Sequence, residues 1–278
     1  MTSREFEGFP PIVLMTDFGL SDPFVGMMKG VIHSIVPKVR IIDLSHGIRP
    51  QDVFQGAYML YRSAKYFPTG SVFCAVVDPG VGTDRKPIAI KTHDFYFVGP
   101  DNGLVLPAAR DNGIETSITL DNKDAFLDRV SHTFHGRDIF APVSARICSG
   151  WQLTSLGSPL QAYVDIEIPI PRKKGDSLVL TILDKDRFGN LTLNISHEDF
   201  HTFAGETFQL MYMDHEINLV FDAYGLAPDD APFVVAGSSG FMEIAVKNHS
   251  AAKKLNANVL DELILSKKTE HGTHSPGV

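Results

Sequence analysis

The sequence predicts an N-terminal α/β domain, its mainly parallel sheet flanked by helices, followed by a smaller all-β antiparallel C-terminal domain. Three observations lead there. The first half alternates short, wholly apolar runs with helical patterns, as strands covered on both faces require. After Trp151 the chain changes to short alternating runs punctuated by Pro and Gly. At 278 residues it is long enough for two cores. The domains are placed at 8–165 and 166–265, with IPIPRKKGD (168–176) as linker and a flexible polar tail at 266–278.

PIVLMT (11–16) is an apolar strand that stops at Asp17. In DPFVGMMKGVIHSIVP, the residues Phe24, Met27, Met28, Val31, Ile32 and Ile35 recur at helical spacing. Asp22 suits the N-cap of that helix, with Pro23 at its first position. VRIIDLS (39–45) is a second strand and DVFQGAYMLYRSAKYF (52–67) a second helix; SVFCAVVD (71–78), PIAIKT (87–92) and FYFVGPDNG (95–103) are further strands. Asp17, Asp43 and Asp78 each occupy a strand end, where ligands gather in open α/β sheets. YVDIEIPIPRKKGDSLVLTILDKDRFGNLTLNI, TFQLMYM, INLVFDAYG and PFVVAGSSGFMEIAV supply the β pattern of the second half.

Composition excludes several classes. The formal charge is −8 and no block of Lys or Arg stands out, which argues against nucleic acid and suits a cationic small molecule. Two isolated cysteines, Cys74 and Cys148, make neither a disulfide framework nor a zinc site. No run reaches the ~20 apolar residues that span a bilayer. The start of the chain does not resemble a signal peptide, so the expectation is a soluble, cytoplasmic protein.

Four stretches carry candidate chemistry. In CAVVDPGVGTDR (74–85) a buried strand ends in a carboxylate, a glycine-rich turn and Arg85, without the spacing of a phosphate loop. An Arg–carboxylate pair across that turn would fix both groups. In HTFHGRDIFAP (132–142) the histidines lack the glutamate of H-E-x-x-H. Gly136 there would admit a substrate to the backbone, and Arg137 and Asp138 form a structural pair. In TDFGLSDPFVG (16–26), Asp17 suits a carboxylate accepting ribose hydroxyls. In LDKDRFGNLTLN (183–194), an Asn stands behind an aromatic and a glycine inside a β pattern, and on spacing alone a bulge or a turn is the better account.

Taken together, TDFG, VVDPGVGT-x-R, GPDNG, TFHGRDIFAP, D-R-FGN-x-T and SSGFMEIAV resemble, in order, the S-adenosyl-L-methionine hydroxide adenosyltransferases, hydrolase relatives of fluorinase and chlorinase. The resemblance runs from about residue 11 to 260. It implies hydrolysis of S-adenosyl-L-methionine, the substrate, to adenosine and L-methionine, with no cofactor and no metal. It also implies a homotrimer with active sites at subunit interfaces. By the same resemblance, Asp78, Arg85 and His135 form the catalytic triad, and Asp17, Asp78, Phe188, Asn190 and Val246 bind adenosine. Asp22, Asp186, Ser238 and Glu243 fall at methionine-binding positions. Gly136 stands where halide-transferring relatives carry serine, so halide transfer is not expected. The alternative is an adenosine- or substrate-binding module with little or no turnover.

Two roles for the triad stay open on chemical grounds. His135 could take a proton from water as a general base, or Arg85 and His135 could stabilise a bound hydroxide.

Overall fold

A computed structural model describes residues 8–205 and 207–268. The chain divides into two compact units, one ending at Glu167 and the other starting at Ile168.

The first unit is built on a seven-stranded sheet. Its strands are β1 (Ile12–Thr16), β2 (Ile41–Ser45), β3 (Val72–Val76), β4 (Pro87–Thr92), β5 (Tyr96–Pro100), β6 (Ile114–Leu120) and β7 (Gly157–Pro159), in spatial order β2-β1-β3-β5-β4-β6-β7. The pairings of β1 with β2, β1 with β3 and β3 with β5 are parallel. Those of β4 with β5, β4 with β6 and β6 with β7 are antiparallel. The sheet is therefore mixed rather than mainly parallel. Wholly apolar strands signal burial on both faces, and burial alone does not set direction.

Helices α1 (Phe24–Ile35), α2 (Val53–Ser63), α3 (Leu106–Asp111) and α4 (Ala141–Cys148) accompany this sheet. One core joins β1 and β3 to Met28 and Ile32 of α1 and to Val143, Ala145 and Ile147 of α4. Another joins Val13, Met15, Phe73 and Phe97 to Leu60 of α2 and to Leu106 and Ala109 of α3. The α2 start follows its sequence signal, because Asp52 accepts from the Gln55 N–H. At α1 the expectation shifts by one residue. Pro23 occupies the cap position with no side-chain capping bond, so Asp22 lies outside the helix and exposed. Asp43 likewise lies inside β2, opposite Leu14, rather than at its end.

The second unit holds a nine-stranded sheet. It comprises β8 (Arg172–Lys174), β9 (Ser177–Lys185), β10 (Leu191–Ser196), β11 (Phe208–Tyr212), β12 (His215–Ile217), β13 (Val220–Phe221), β14 (Pro232–Ala236), β15 (Phe241–Val246) and β16 (Glu262–Lys267). The unit is not all-β. Helix α5 (His197–Ala204) is capped by Ser196, and α6 (Ala251–Leu255) by Ser250. Both are too short for apolar periodicity to reveal them. One pairing, β13 with β14, is parallel. The basic part of the expected linker is β8, paired with β9, and Ser266 and Lys267 of the expected tail belong to β16. Residues 269–278 lie outside the described residues.

Both cysteines are buried and free, and burial pushes Cys74 up to about 12 and Cys148 up to about 11. No helix among the described residues is long and apolar enough to cross a membrane.

Candidate active site

In the first unit, the site begins where β3 runs out. Val77 is fully buried, and its carbonyl accepts from Asn102 Nδ2 at 2.8 Å, which anchors the strand end ahead of Asp78. A double turn follows, with Val81 N–H on the Asp78 carbonyl at 3.2 Å and Thr83 N–H on that of Gly80 at 3.2 Å. Gly82 has φ +78°, and a Cβ there would stand 2.3 Å from the His132 carbonyl oxygen. Only glycine lets the turn lie against that segment.

The turn folds Arg85 back onto Asp78. Arg85 Nε donates to Asp78 Oδ1 at 3.0 Å and Nη2 donates to Oδ2, a bidentate pair. Both side chains are at least nine-tenths enclosed, and the guanidinium carbon lies 5.5 Å from the centre of the Phe140 ring. Nη2 also meets His135 Nδ1 at 3.1 Å. Arg85 Nη1 is buried with no hydrogen-bond partner among the described residues.

His135 is held by the neighbouring fold. It precedes a π-helical turn, Gly136–Phe140, that runs into α4. Within it Asp138 is fully buried, pairs with Arg137 Nε at 2.6 Å, and accepts from Ser131 N–H and Oγ at 2.8 and 2.7 Å. The expected Arg137–Asp138 pair is thus the clamp of the His135 segment. Gly136 offers no open approach: it is buried, and a Cβ would meet Phe134 and Met28 at 3.2–3.3 Å.

Electrostatics follow from this enclosure. Burial pushes the Asp78 carboxyl above its ordinary range, while the Arg85 charge opposes that rise. Burial, then the Arg85 charge, hold His135 below its ordinary 6.5. Because a guanidinium can only donate, His135 Nδ1 must accept, so the neutral ring carries its proton on Nε2.

Asp17 emerges at the same sheet edge. Thr16 of β1 is in register with Val76 of β3, so Asp17 and Asp78 leave neighbouring strands in the same direction. Asp17 Oδ2 accepts from Gln51 N–H at 2.8 Å, and Gln51 adopts φ +65°. Asp43 is engaged by Lys29 at 2.6 Å and His46 at 3.1 Å.

In the second unit, Asp186, Phe188, Asn190 and Val246 line one cavity of about 600 Å³. The turn linking β9 to β10 builds its wall: Gly189 N–H donates to the Asp186 carbonyl at 3.1 Å, with Gly189 at φ +88°. A Cβ on Gly189 would stand 2.0 Å from Ser250 Oγ, so this turn and α6 are packed backbone to side chain. Asn190 N–H and Nδ2 donate to the two Asp186 carboxylate oxygens at 2.8 and 2.9 Å. Phe188, at the tip, is 78% exposed.

Glu243 and Ser238 do not line that cavity. Glu243 is on β15, is 8% exposed, and accepts from the Tyr224 hydroxyl at 2.7 Å. Ser238 lies exposed in the turn between β14 and β15. Sequence reading missed Tyr224 and Ser250, which line the cavity beside the motif residues. Tyr224 lies within a strand-like run, and Ser250 precedes a helix too short for apolar periodicity to reveal, so neither carries a sequence signal for the cavity.

Residues 12–157 match the model of the SAM hydroxide adenosyltransferase N-terminal domain, and residues 180–264 that of its C-terminal domain. The chain belongs to the SAM hydroxide adenosyltransferase family. It is 35% identical over 257 residues to the (R)-S-adenosyl-L-methionine hydrolase of Salinispora arenicola, covering 91% of this chain and 97% of that one. To the enzyme of the same name from Salinispora tropica it is 43% identical over 190 residues, 67% of this chain and 72% of the other. Among solved structures, it resembles an uncharacterized conserved protein from Thermotoga maritima with a TM-score of 0.87 at 35% identity. That match covers 92% of this chain and 100% of the other.

Proposed function

We propose that this family member hydrolyses (R)-S-adenosyl-L-methionine to adenosine and L-methionine, by attack of water or hydroxide at ribose C5′. The observation that carries the mechanism is the enclosed Asp78–Arg85–His135 group, in which Arg85 Nη1 is a buried donor without a partner among the described residues. A buried, unmet donor is costly unless a ligand or water meets it.

Between the two open roles, the hydrogen bonding favours hydroxide stabilisation. His135 Nδ1 is occupied by Arg85 and Nε2 bears the proton, so the neutral ring has no free lone pair for a general base. An oxygen lodged against Arg85 Nη1 meets a charged donor, which favours its hydroxide form, while His135 Nδ1 holds the guanidinium in place. Attack joins that oxygen to C5′ as the C5′–sulfur bond breaks, and hydroxide and sulfonium neutralise each other. Such a charge-annihilating step gains from a water-poor site. Methionine departs as a neutral thioether, so neither a general acid nor a metal is called for.

For the substrate, Asp17 and Asp78 are proposed for the ribose, and Phe188, Asn190 and Val246 for adenine. Asp22, Asp186, Ser238 and Glu243 are proposed for the methionine portion. A homotrimer with active sites at subunit interfaces is proposed on family resemblance alone. Sedimentation equilibrium checks the assembly, and a monomer would remove it.

Incubation with (R)-S-adenosyl-L-methionine in ¹⁸O-labelled water tests the reaction. Adenosine and methionine should appear with the label in the 5′-hydroxyl, and turnover should survive EDTA. Methylthioadenosine, or label in methionine alone, would overturn the mechanism. Adenosine retained without turnover would favour the binding module instead.

A further inference from the structure

The Asp186–Asn190 turn makes a chemical choice that its motif does not disclose. A carboxylate only accepts hydrogen bonds, so the Asn190 side-chain atom facing Asp186 Oδ2 at 2.9 Å must be the amide nitrogen. Asp186 Oδ1 meanwhile accepts from the Asn190 backbone N–H at 2.8 Å, and the Asp186 N–H donates to the Asn190 carbonyl at 3.1 Å. Three bonds therefore join Asp186 to Asn190 across the turn, and the amide is left with a single orientation.

What remains unspent on that amide is its carbonyl oxygen and one N–H. Asn190 lines the cavity together with Phe188 and Val246. An acceptor beside a donor, held rigid, matches the amino group and N7 of a 6-aminopurine. The same pair confronts a 6-oxopurine with acceptor against acceptor. A reversed amide would prefer the 6-oxo base.

We infer that Asp186 is a positioning residue that sets base specificity: it locks the Asn190 amide so that the cavity takes 6-aminopurine nucleosides and rejects 6-oxopurine ones. The inference rests on the proposed reading of this cavity as a nucleoside site. Each Asp186 oxygen retains a second lone pair, so the lock does not compete with a contact to a ligand ammonium.

Calorimetric titration of the full-length protein with adenosine and with inosine tests it. The unmodified chain should bind adenosine at least about tenfold more tightly than inosine, the scale of one bidentate base contact. Asp186→Asn keeps an acceptor for the Asn190 backbone but can also donate to a reversed amide. Its adenosine-to-inosine preference should fall to within about threefold. Asp186→Ser also keeps a short acceptor for the backbone and frees the amide, so it should relax the preference likewise. A purely structural loss would weaken both nucleosides together and leave their ratio unchanged. Failure of the unmodified chain to bind either nucleoside would overturn the nucleoside reading itself. Equal binding of the two by the unmodified chain, or an unchanged ratio in a folded variant, would overturn the lock and leave that reading standing.

Discussion

Arg85 sits at the centre of the first unit's polar group, touching Asp78 and His135 at once. Arg85→Lys keeps the charge but loses the planar fork, and the three contacts cannot all survive on one ammonium. Steady-state assay should find kcat lowered about 10²-fold, the scale of one preorganised donor. Arg85→Ala should in addition lower stability by about 3–5 kcal/mol, since it strands the buried Asp78 carboxylate. Urea unfolding measures that loss. His135 gives the pH dependence. Its ordinary 6.5 is lowered by burial and by Arg85, so the neutral ring persists into mildly acidic solution. As pH falls through the lowered value, a proton on Nδ1 faces the guanidinium and breaks the contact. The pH–kcat profile should show an acid limb with its midpoint below 6.5. A midpoint above about 7.5 would contradict the assigned protonation state.

At the scale of elements, glycines at two turns set the geometry of the two groups. Gly82→Ala would drive a Cβ into the His132 carbonyl at a positive φ. It should cost about 2 kcal/mol in thermal unfolding and lower kcat by moving Arg85. Gly189→Ala would press on Ser250 and should raise KM more than it lowers kcat, because the turn shapes the cavity wall. How legible these elements were depended on how local their causes are. Strands β1 to β5 could be read from apolar runs, and α2 from its helical pattern, because each rests on neighbours in sequence. The Asp78–Arg85 pair was readable for the same reason, being seven residues apart. Strand direction, the short helices and the Tyr224–Glu243 bond depend on partners set by tertiary packing. Gly136 marks the clearest failure: the room expected beside it is filled by Phe134 and Met28, which no spacing announces.

For the whole molecule, the division at Glu167 and Ile168 separates the cores as well as the chain. Sheets, helices and buried clusters each belong to one unit. Trp151, the single tryptophan, lies in the first and stacks with Arg146, so its fluorescence reports that unit alone. Far-UV circular dichroism reports both. Urea titration should give a fluorescence transition that does not coincide with the circular dichroism transition, as two cooperative units require. Superimposable curves would mean that the units unfold as one.

The mixed direction of the first sheet has a consequence for the order of assembly. Because β4 runs against β5, the chain leaving β3 re-enters the sheet from the same edge, and Arg85 needs only a short loop to return to Asp78. An all-parallel sheet would have sent the chain to the opposite edge through a crossover of a dozen residues or more. Closing so short a loop costs little chain entropy, whereas His135 must be brought in across fifty residues. The acid–arginine couple is thus a local, early-forming contact, and the histidine joins only when α4 packs on the sheet. In a refolding experiment the ion pair should precede activity, which waits for the last member to arrive.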